Sequence, residues 1–219
     1  MSGARSARSA ANEADPAEEL VELWFADATE SGAALDAQCR MWFDGSSGVD
    51  AWLRQRFGHL LERADRGELR AWTERPRSCL ALVIALDQLP RHLFRGMPRA
   101  FAYDAMALEV ARSALERRFD RSLHPVQAAF LYLPLEHAED PAMQDRSVQL
   151  FRSLVARGEP EIRPTLELFA SYAERHRAVI QRFGRFPHRN RLLGRRPTGA
   201  EERYLADGGE TFAGPGDSD

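Results

Sequence analysis

Prolines divide this chain into segments that each have the residue spacing of an amphipathic α-helix. Proline fits the first turn of a helix, where its missing N–H has no partner to lose, and it breaks a helix interior. After most of these prolines, apolar residues recur at intervals of three and four, and no long segment alternates as a β-strand does. Together these patterns predict one all-α domain over residues 15–207, with about eight or nine helices. The expected helices cover residues 16–28, 49–66, 76–89, 98–119, 125–138, 141–157, 164–183 and 198–206.

The two ends of the chain differ in composition from this domain. Residues 1–14 contain two arginines among many Ser and Ala residues, and they lack the apolar stretch of a secretory signal. Residues 208–219 are rich in Gly and Asp. We therefore expect residues 1–14 to be a disordered N-terminal extension and residues 208–219 to be a disordered C-terminal tail.

The most apolar run of the chain, residues 79–86, has eight residues. A membrane-spanning helix needs about 20 apolar residues, so no membrane association is expected. The two cysteines, Cys39 and Cys79, do not have the spacing of a zinc site, and nothing in the sequence supports a disulfide. A cytoplasmic location is the expectation that follows.

Composition excludes several chemistries. All thirty Lys and Arg positions are arginine, since the chain has no lysine. This excludes a Walker A lysine, pyridoxal phosphate bound as a Schiff base, and any other lysine-dependent cofactor or nucleophile. The net charge of −3 excludes a globally basic nucleic-acid binder, so nucleic acid is not expected as a partner. The G-x-S-x-G, H-E-x-x-H and G-x-G-x-x-G motifs are also absent, and the sequence names no reaction and no cofactor.

The first of three polar segments covers residues 86–96 and continues to Asp104. Asp87 directly follows an apolar run, so its carboxylate is expected to be shielded from water and to need a partner. Arg91, four residues further on, is the nearest candidate. Two interpretations of this segment are open. If it is functional, its ligand site contains Asp87, Gln88, Arg91, Arg95 and Asp104. The structural interpretation makes Asp87–Arg91 and Asp104–Arg95 ion pairs that fix a loop.

The second polar segment, residues 132–140, places a histidine among carboxylates. His137 follows Glu136 and precedes Glu139 and Asp140, and these acidic neighbours predict a raised pKa for its imidazole. One histidine and two carboxylates also match the ligands of a divalent metal ion. Asp140, however, stands directly before Pro141, and a helix N-cap explains an aspartate at that position without any ligand.

The third polar segment, residues 175–196, contains eight arginines, two histidines and no acidic residue. The planar guanidinium group binds the oxygens of carboxylates and phosphates in pairs, so Arg185 and Arg189 are candidates for holding an anion. His188 and Asn190 lie beside them in the sequence. The structural alternative is that these arginines pair with the acidic segments and stabilise helix C-termini.

These segments together resemble the DUF924 family of bacterial and plant proteins across nearly the whole domain. The matching stretches are Trp42-Phe43, Leu86-Asp87-Gln88 with Pro90-Arg91 and Phe94-Arg95-Gly96, Ala100-Phe101 with Asp104, Leu133-Pro134-Leu135-Glu136-His137 with Glu139-Asp140 and Gln144, and Arg182-Phe183-Gly184-Arg185-Phe186-Pro187-His188-Arg189-Asn190 with Leu193-Gly194-Arg195. The resemblance implies a tetratricopeptide-like antiparallel array of helices. It implies no activity, because none is assigned to the family. The chain has Leu89 where the family usually has phenylalanine, and His92 where it usually has asparagine.

The first functional hypothesis is a scaffold or binding module for an anionic small molecule or a peptide carboxylate. In this hypothesis arginines hold the ligand and carboxylates orient them from behind. The arginines are Arg91, Arg95, Arg185 and Arg189, and the carboxylates are Asp87, Asp104 and Glu136.

The second hypothesis is an enzyme, most simply a metal-assisted hydrolase. Glu136 or His137 would be the general base, and His176 or His188 would be the acid or a metal ligand. The metal version uses Glu136, His137, Asp140 and one further histidine. In the third hypothesis the polar residues form a structural network, and the function lies in protein partners bound at the helical surface.

Overall fold

The computed structural model describes residues 15–43 and 47–212. Across these residues the backbone forms α-helices and short helical turns, with no β-strand. The helices are α1 (Pro16–Phe25), α2 (Gly32–Phe43), α3 (Ser47–Phe57), α4 (His59–Asp65), α5 (Pro76–Val83), α6 (Leu89–Leu93), α7 (Asp104–Glu116), α8 (Pro125–Glu136), α9 (Pro141–Arg157), α10 (Arg163–Phe183) and α11 (Gly199–Ala206). The prediction of an all-α protein is confirmed.

Several helix starts follow the capping signals in the sequence. Asp15 and Asp140 accept backbone N–H groups at the starts of α1 and α9. Thr198 and Glu201 form a reciprocal capping box at the start of α11. Each cap satisfies amide groups that have no partner inside the helix. The sequence pattern therefore placed these three starts correctly.

The structure has more helices than the sequence pattern indicated, because two expected segments are divided and one helix has no apolar stripe. Residues 49–66 divide at Gly58, where an added Cβ would lie 2.5 Å from the carbonyl oxygen of Arg54. The segment expected at residues 76–89 divides at a π-helical turn into α5 and α6, and α6 continues past Pro90 to Leu93. Residues 98–119 form a 3-10 turn at Pro98–Phe101 followed by the helix α7. The helix α2 buries only Leu35 and Trp42, so periodicity did not reveal it.

Two apolar helices, α5 and α8, form the centre of the core. The helix α5 is buried from Ser78 to Val83 and packs against α1, α7 and α8. The helix α8 also packs on α9, which lies along α10. Short connections, at residues 137–140 and 158–162, make these consecutive helices antiparallel neighbours. The tetratricopeptide-like arrangement implied by the resemblance stays a prediction.

A π-helical turn, Ile84–Gln88, joins α5 to α6 and positions the first polar segment. Pro90 has no N–H to donate to the preceding turn, and a widened turn is one way for a helix to accommodate that loss. The widened turn carries Asp87 and packs against α8, whose last residue is Glu136. The fold thereby brings the first and second polar segments together.

The ends of the chain are described only in part. The predicted extension, residues 1–14, lies outside the described residues, as do residues 213–219 of the predicted tail. Residues 208–212 make specific contacts: the Gly209 N–H donates to the carbonyl oxygen of Tyr204, and the Glu210 carboxylate binds Arg175 through both oxygens. None of the described helices is long and apolar enough to cross a membrane.

Candidate functional site

A carboxylate and an imidazole are paired at the centre of the polar region. Asp87 is fully buried, and its Oδ1 accepts a hydrogen bond from Nδ1 of His137 at 2.7 Å. The amide of Gln88 donates to the other carboxylate oxygen at 2.6 Å. With its Nδ1–H committed to Asp87, His137 keeps a lone pair on Nε2, which is available to a proton or a metal ion.

Two arginines and a second aspartate extend this pair into a chain of alternating charge. Arg91 lies 3.3 Å from Oδ1 of Asp87, and it binds Asp104 through both Nη atoms at 2.9 and 3.2 Å. Nη1 of Arg189 donates to the same Asp104 at 3.3 Å. The predicted Asp87–Arg91 pair is therefore present. The predicted Asp104–Arg95 pair is wrong, because the Asp104 carboxylate is hydrogen-bonded by Arg91 and Arg189 instead.

These contacts set the protonation states of the pair. Burial alone would raise the pKa of Asp87, but Arg91 and His137 outweigh burial and hold that pKa below its ordinary value. Burial, reinforced by Arg91, lowers the pKa of His137, although Asp87 acts in the opposite direction. The predicted rise in the His137 pKa is wrong. Its acidic neighbours Glu139 and Asp140 are engaged by an arginine and by the amides of α9.

Arg189 is held between aromatic rings. Its guanidinium carbon lies 4.7 Å from the ring centroid of Phe101 and 4.4 Å from that of Phe186. Its hydrogen bonds to described residues both use Nη1, one to Asp104 and one to the carbonyl oxygen of His137 at 3.1 Å. The residue is 6% exposed, and its Nε has no acceptor among the described residues. Burial lowers the pKa of Arg189 to about 10, despite the nearby carboxylate of Asp104.

Glu136, His137 and His176 form a cluster beside this charged chain. Nδ1 of His176 lies 3.2 Å from the Glu136 carboxylate and 2.9 Å from the carbonyl oxygen of Tyr172. One ligand atom from each member of the cluster lies within 4.8 Å of the others. Burial raises the pKa of Glu136 to about 8, and Asp87 adds to the rise. Burial also lowers the pKa of His176 well below its ordinary value.

Aromatic rings cover His176. The ring of Phe212 stacks on its imidazole with centroids 3.5 Å apart, and Phe186 meets it edge-on at 5.6 Å. The backbone of Phe212 is left-handed, with a φ of 53° that L-residues seldom adopt. His188 lies beside both phenylalanine rings, and its buried Nδ1 has no partner among the described atoms. Burial, reinforced by Arg189, lowers the pKa of His188 to about 3.

An open cleft of about 330 Å³ adjoins the charged chain and the cluster. Its lining combines apolar side chains with a few polar ones, which is typical of small-molecule sites. The apolar lining includes Phe101, Leu108 and Leu193, and the polar lining consists of Asp104, His137, Glu139, Asp140 and Arg189. A small molecule in the cleft can therefore contact an arginine and a histidine at once.

Two of the predicted arginines lie in other contacts. Arg95 binds Asp50 at 3.1 Å, and the same carboxylate lies 2.7 Å from Nδ1 of His92. Arg185 binds both carboxylate oxygens of Glu201, at 2.7 and 2.9 Å. The structure therefore brings Arg91 and Arg189 together at Asp104 and holds Arg95 and Arg185 on different carboxylates.

Asn190 and Asp140 also have local roles. The side-chain oxygen of Asn190 accepts a hydrogen bond from Nε of Arg195 at 2.9 Å. Oδ1 of Asp140 accepts the amides of Ala142 and Met143 at 2.8 and 3.0 Å, as expected for an N-cap. Asp140 lines the cleft, but its carboxylate is used at the start of α9.

Sequence reasoning missed Asp50 and Phe212, and it treated His176 only as one of two optional histidines. Asp50 gave no signal, because an acidic residue on an amphipathic helix is ordinary. Phe212 stands in a Gly- and Asp-rich stretch whose composition predicts a loose tail. A signal for His176 did exist, since it continues the buried stripe of α10 between Ala173 and Ile180.

The chain is similar to proteins to which no function is assigned. A family model described as a bacterial protein of unknown function (DUF924) matches residues 20–209. One similar solved structure is described as a protein of unknown function, ATU0120 from Agrobacterium tumefaciens. Its sequence is 36% identical to this chain, and the TM-score is 0.74. The match covers 87% of this chain and 97% of the Agrobacterium chain. No curated protein matches. The range matched by the family contains the charged chain, the cluster and the cleft residues, whereas Phe212 lies beyond it.

Proposed function

The chain belongs to the DUF924 family, whose description assigns no activity, and from the site itself we propose that the protein binds a small anionic molecule in the cleft beside Arg189 and His137. The anionic group is of the carboxylate or phosphate type. The observation that carries this proposal is the buried guanidinium of Arg189, whose Nε has no acceptor among residues 15–43 and 47–212.

The hydrogen bonds of Arg189 leave one edge of its guanidinium without an acceptor among the described residues. Phe101 and Phe186 pack against the group, while Nη1 is used by Asp104 and by the backbone of His137. Nε and Nη2 form the remaining pair of donors, and such a pair matches the two oxygens of a carboxylate. A buried donor without an acceptor costs about 1–3 kcal/mol, which a bound anion would offset.

The acidic residues of the cleft do not exclude an anion, because each is already engaged. Asp104 is bound by two arginines, and Glu139 binds Arg195 at 2.5 and 2.9 Å. Asp140 accepts the first amides of α9. Their charges are compensated within the protein, so Arg189 is the lining cation with an unused donor.

The size and walls of the cleft narrow the class of ligand. A volume of about 330 Å³ lies near the lower end of the range of about 300–1,000 Å³ for small-molecule sites. The side chains of Phe101, Leu108 and Leu193 supply apolar walls. These features favour a small molecule with a short apolar body next to its anionic group, and they disfavour a peptide.

The four arginines of the anion hypothesis thus separate by role. Arg189 lines the cleft, and Arg91 acts from behind it by holding Asp104. Arg95 and Arg185 are bound to carboxylates elsewhere and take no part in the proposal.

Benzoate and benzylamine test this proposal, because the two probes share a ring and differ in charge. By titration calorimetry or ligand-observed NMR on untagged protein, we expect benzoate and inorganic phosphate to bind and benzylamine not to bind. Arg189→Gln, once circular dichroism shows that it is folded, should bind benzoate about tenfold or more weakly, since a charged hydrogen-bonding contact is worth about 1.5–3 kcal/mol.

Arg185→Gln is the matched control, since this arginine comes from the same segment of sequence but binds Glu201. It should leave the affinity for benzoate unchanged. Equal binding by wild type and Arg189→Gln, tighter binding of benzylamine than of benzoate, or no binding of either anion to the folded protein would contradict the proposal. Any of these results would favour the structural-network hypothesis.

A second candidate function, metal-assisted hydrolysis, is favoured by one specific observation, the cluster of Glu136, His137 and His176. An enzyme of this class needs a bound metal ion to activate water or polarise its substrate. If the cluster binds no metal ion, metal-assisted hydrolysis is excluded as a function of this site.

A further inference from the structure

Two histidines and a glutamate from neighbouring helices meet in the interior of the protein. Glu136 is the last residue of α8, His137 follows it, and His176 lies within α10. One ligand atom of each lies within 4.8 Å of the others, and Glu136 and His176 are 4% and 5% exposed. Within the described ranges, this is the one group of His, Cys, Asp or Glu side chains close enough to share a metal ion.

The imidazole of His137 is oriented from behind by a carboxylate. Its Nδ1 donates to Asp87 at 2.7 Å, and Asp87 is fixed in turn by Gln88 and Arg91. Histidines that bind metal ions usually donate their second ring N–H to a carboxylate or carbonyl in this way, which fixes the ring and its tautomer. The contact with Asp87 leaves Nε2 as the ligand atom of His137.

Glu136 lacks the partner that a buried carboxylate usually has. Buried carboxylates are normally paired with a cation or bound to a metal ion. In the described part of the chain no arginine pairs with Glu136, and its charged-group contact is His176 at 3.2 Å. The turn that carries Glu136 is itself held rigidly, because Gln144 donates to the carbonyl oxygens of Glu136 and Ala138. A cation at the cluster would supply the missing partner.

We propose that Glu136, His137 and His176 form a binding site for a divalent first-row transition-metal ion, with Zn²⁺ as the best match. Imidazole and carboxylate ligands suit zinc, and a site with three protein ligands keeps a position for water or a substrate. Ligand atoms around zinc lie roughly 3.3 Å apart, so the three atoms, which lie within 4.8 Å of one another here, must move closer when zinc binds. The sequence-based metal set changes accordingly: Asp140 caps α9 and leaves the set, and the further histidine is His176 rather than His188.

Zinc binding to untagged protein that has been treated with a chelator tests the site. We expect one Zn²⁺ per chain by elemental analysis, and Co²⁺ should give visible absorption bands from histidine ligation. Glu136→Gln and His176→Gln should each lower the zinc affinity by more than about tenfold. Asp87→Asn, which removes the carboxylate behind His137, should lower it by about 10–100-fold and alter the cobalt spectrum. Circular dichroism checks that each variant is folded.

His59→Ala is the control, because His59 is an exposed histidine at the start of α4. It should bind zinc as the wild type does. Absence of stoichiometric zinc on the folded wild-type protein would overturn the proposal. So would unchanged affinity in folded Glu136→Gln, or an equal loss in His59→Ala. The benzoate titration is made on metal-free protein, so either proposal can fail without the other.

Discussion

At the scale of single residues, the charged chain and the cluster around Glu136 differ in how their charges are compensated. From the buried Asp87 through the half-buried Arg91 and Asp104 to the buried Arg189, each charge has a partner of opposite sign. Removing one member of such a chain leaves an uncompensated charge, which is strongly destabilising in a protein interior. Among the described residues no arginine pairs with Glu136 in the neighbouring cluster, so a cation bound there would supply a compensating charge.

His188 makes the stability of the protein depend on pH. Burial lowers its pKa to about 3, so between about pH 6.5 and pH 3 the unfolded chain binds a proton that the folded protein does not. Stability therefore falls as the pH falls through this range, and the share of His188 at pH 5 is about 2 kcal/mol. Urea unfolding measures the free energy of unfolding at pH 8 and at pH 5. The decrease in this free energy from pH 8 to pH 5 should be smaller in His188→Gln than in the wild type, by about 2 kcal/mol. The same pH dependence in wild type and variant would mean that His188 is not held neutral.

At the scale of helices, Asp140 is a cap rather than a ligand. Its Oδ1 accepts the amides of Ala142 and Met143 at the start of α9. Asp140→Ala should lower the free energy of unfolding by about 1 kcal/mol, because those amides lose their acceptor. Zinc binding by this variant should equal that of the wild type. A folded Asp140→Ala protein that has lost zinc binding would restore Asp140 to the metal site and contradict the three-residue set of Glu136, His137 and His176.

The connection between α5 and α6 shows how a helix can carry a polar site through an apolar core. Residues on both sides of the π-helical turn are buried, yet the turn itself presents Asp87 and Gln88 to the end of α8. A regular helix would distribute its side chains evenly around the axis, whereas a π-helical turn shifts them locally and is often found at functional sites. Pro90 favours this widening, because it cannot donate to the preceding turn.

For the whole molecule, local signals predicted the helices but not the partners of the polar residues. The caps at Asp15, Asp140 and Thr198 are decided within a few residues, so the sequence reveals them. The choice of Arg91 over Arg95 at Asp104 is not local. It depends on how the chain turns after the π-helical segment and on arginines and aspartates brought in from other helices. A single sequence contains no pattern that predicts which of these distant residues meet in the fold.

Zinc binding at the cluster should stabilise the whole domain. An ion that binds only the folded state adds about 2.7 kcal/mol at 100 times its Kd. For a domain of this size, that addition corresponds to a rise in Tm of about 5–10 °C. Differential scanning fluorimetry of metal-free protein with added Zn²⁺ measures the rise, which should be absent in Glu136→Gln. A rise of equal size in that variant would place the ion elsewhere.

The ring of Phe212 covers the buried imidazole of His176. It covers His176 from a short segment after α11, which is held by the Gly209 amide and by the carboxylate of Glu210. We expect loosening of these few contacts to uncover His176 by local fraying rather than by global unfolding. We expect hydrogen exchange at the Gly209 amide to report how often this segment opens and uncovers His176.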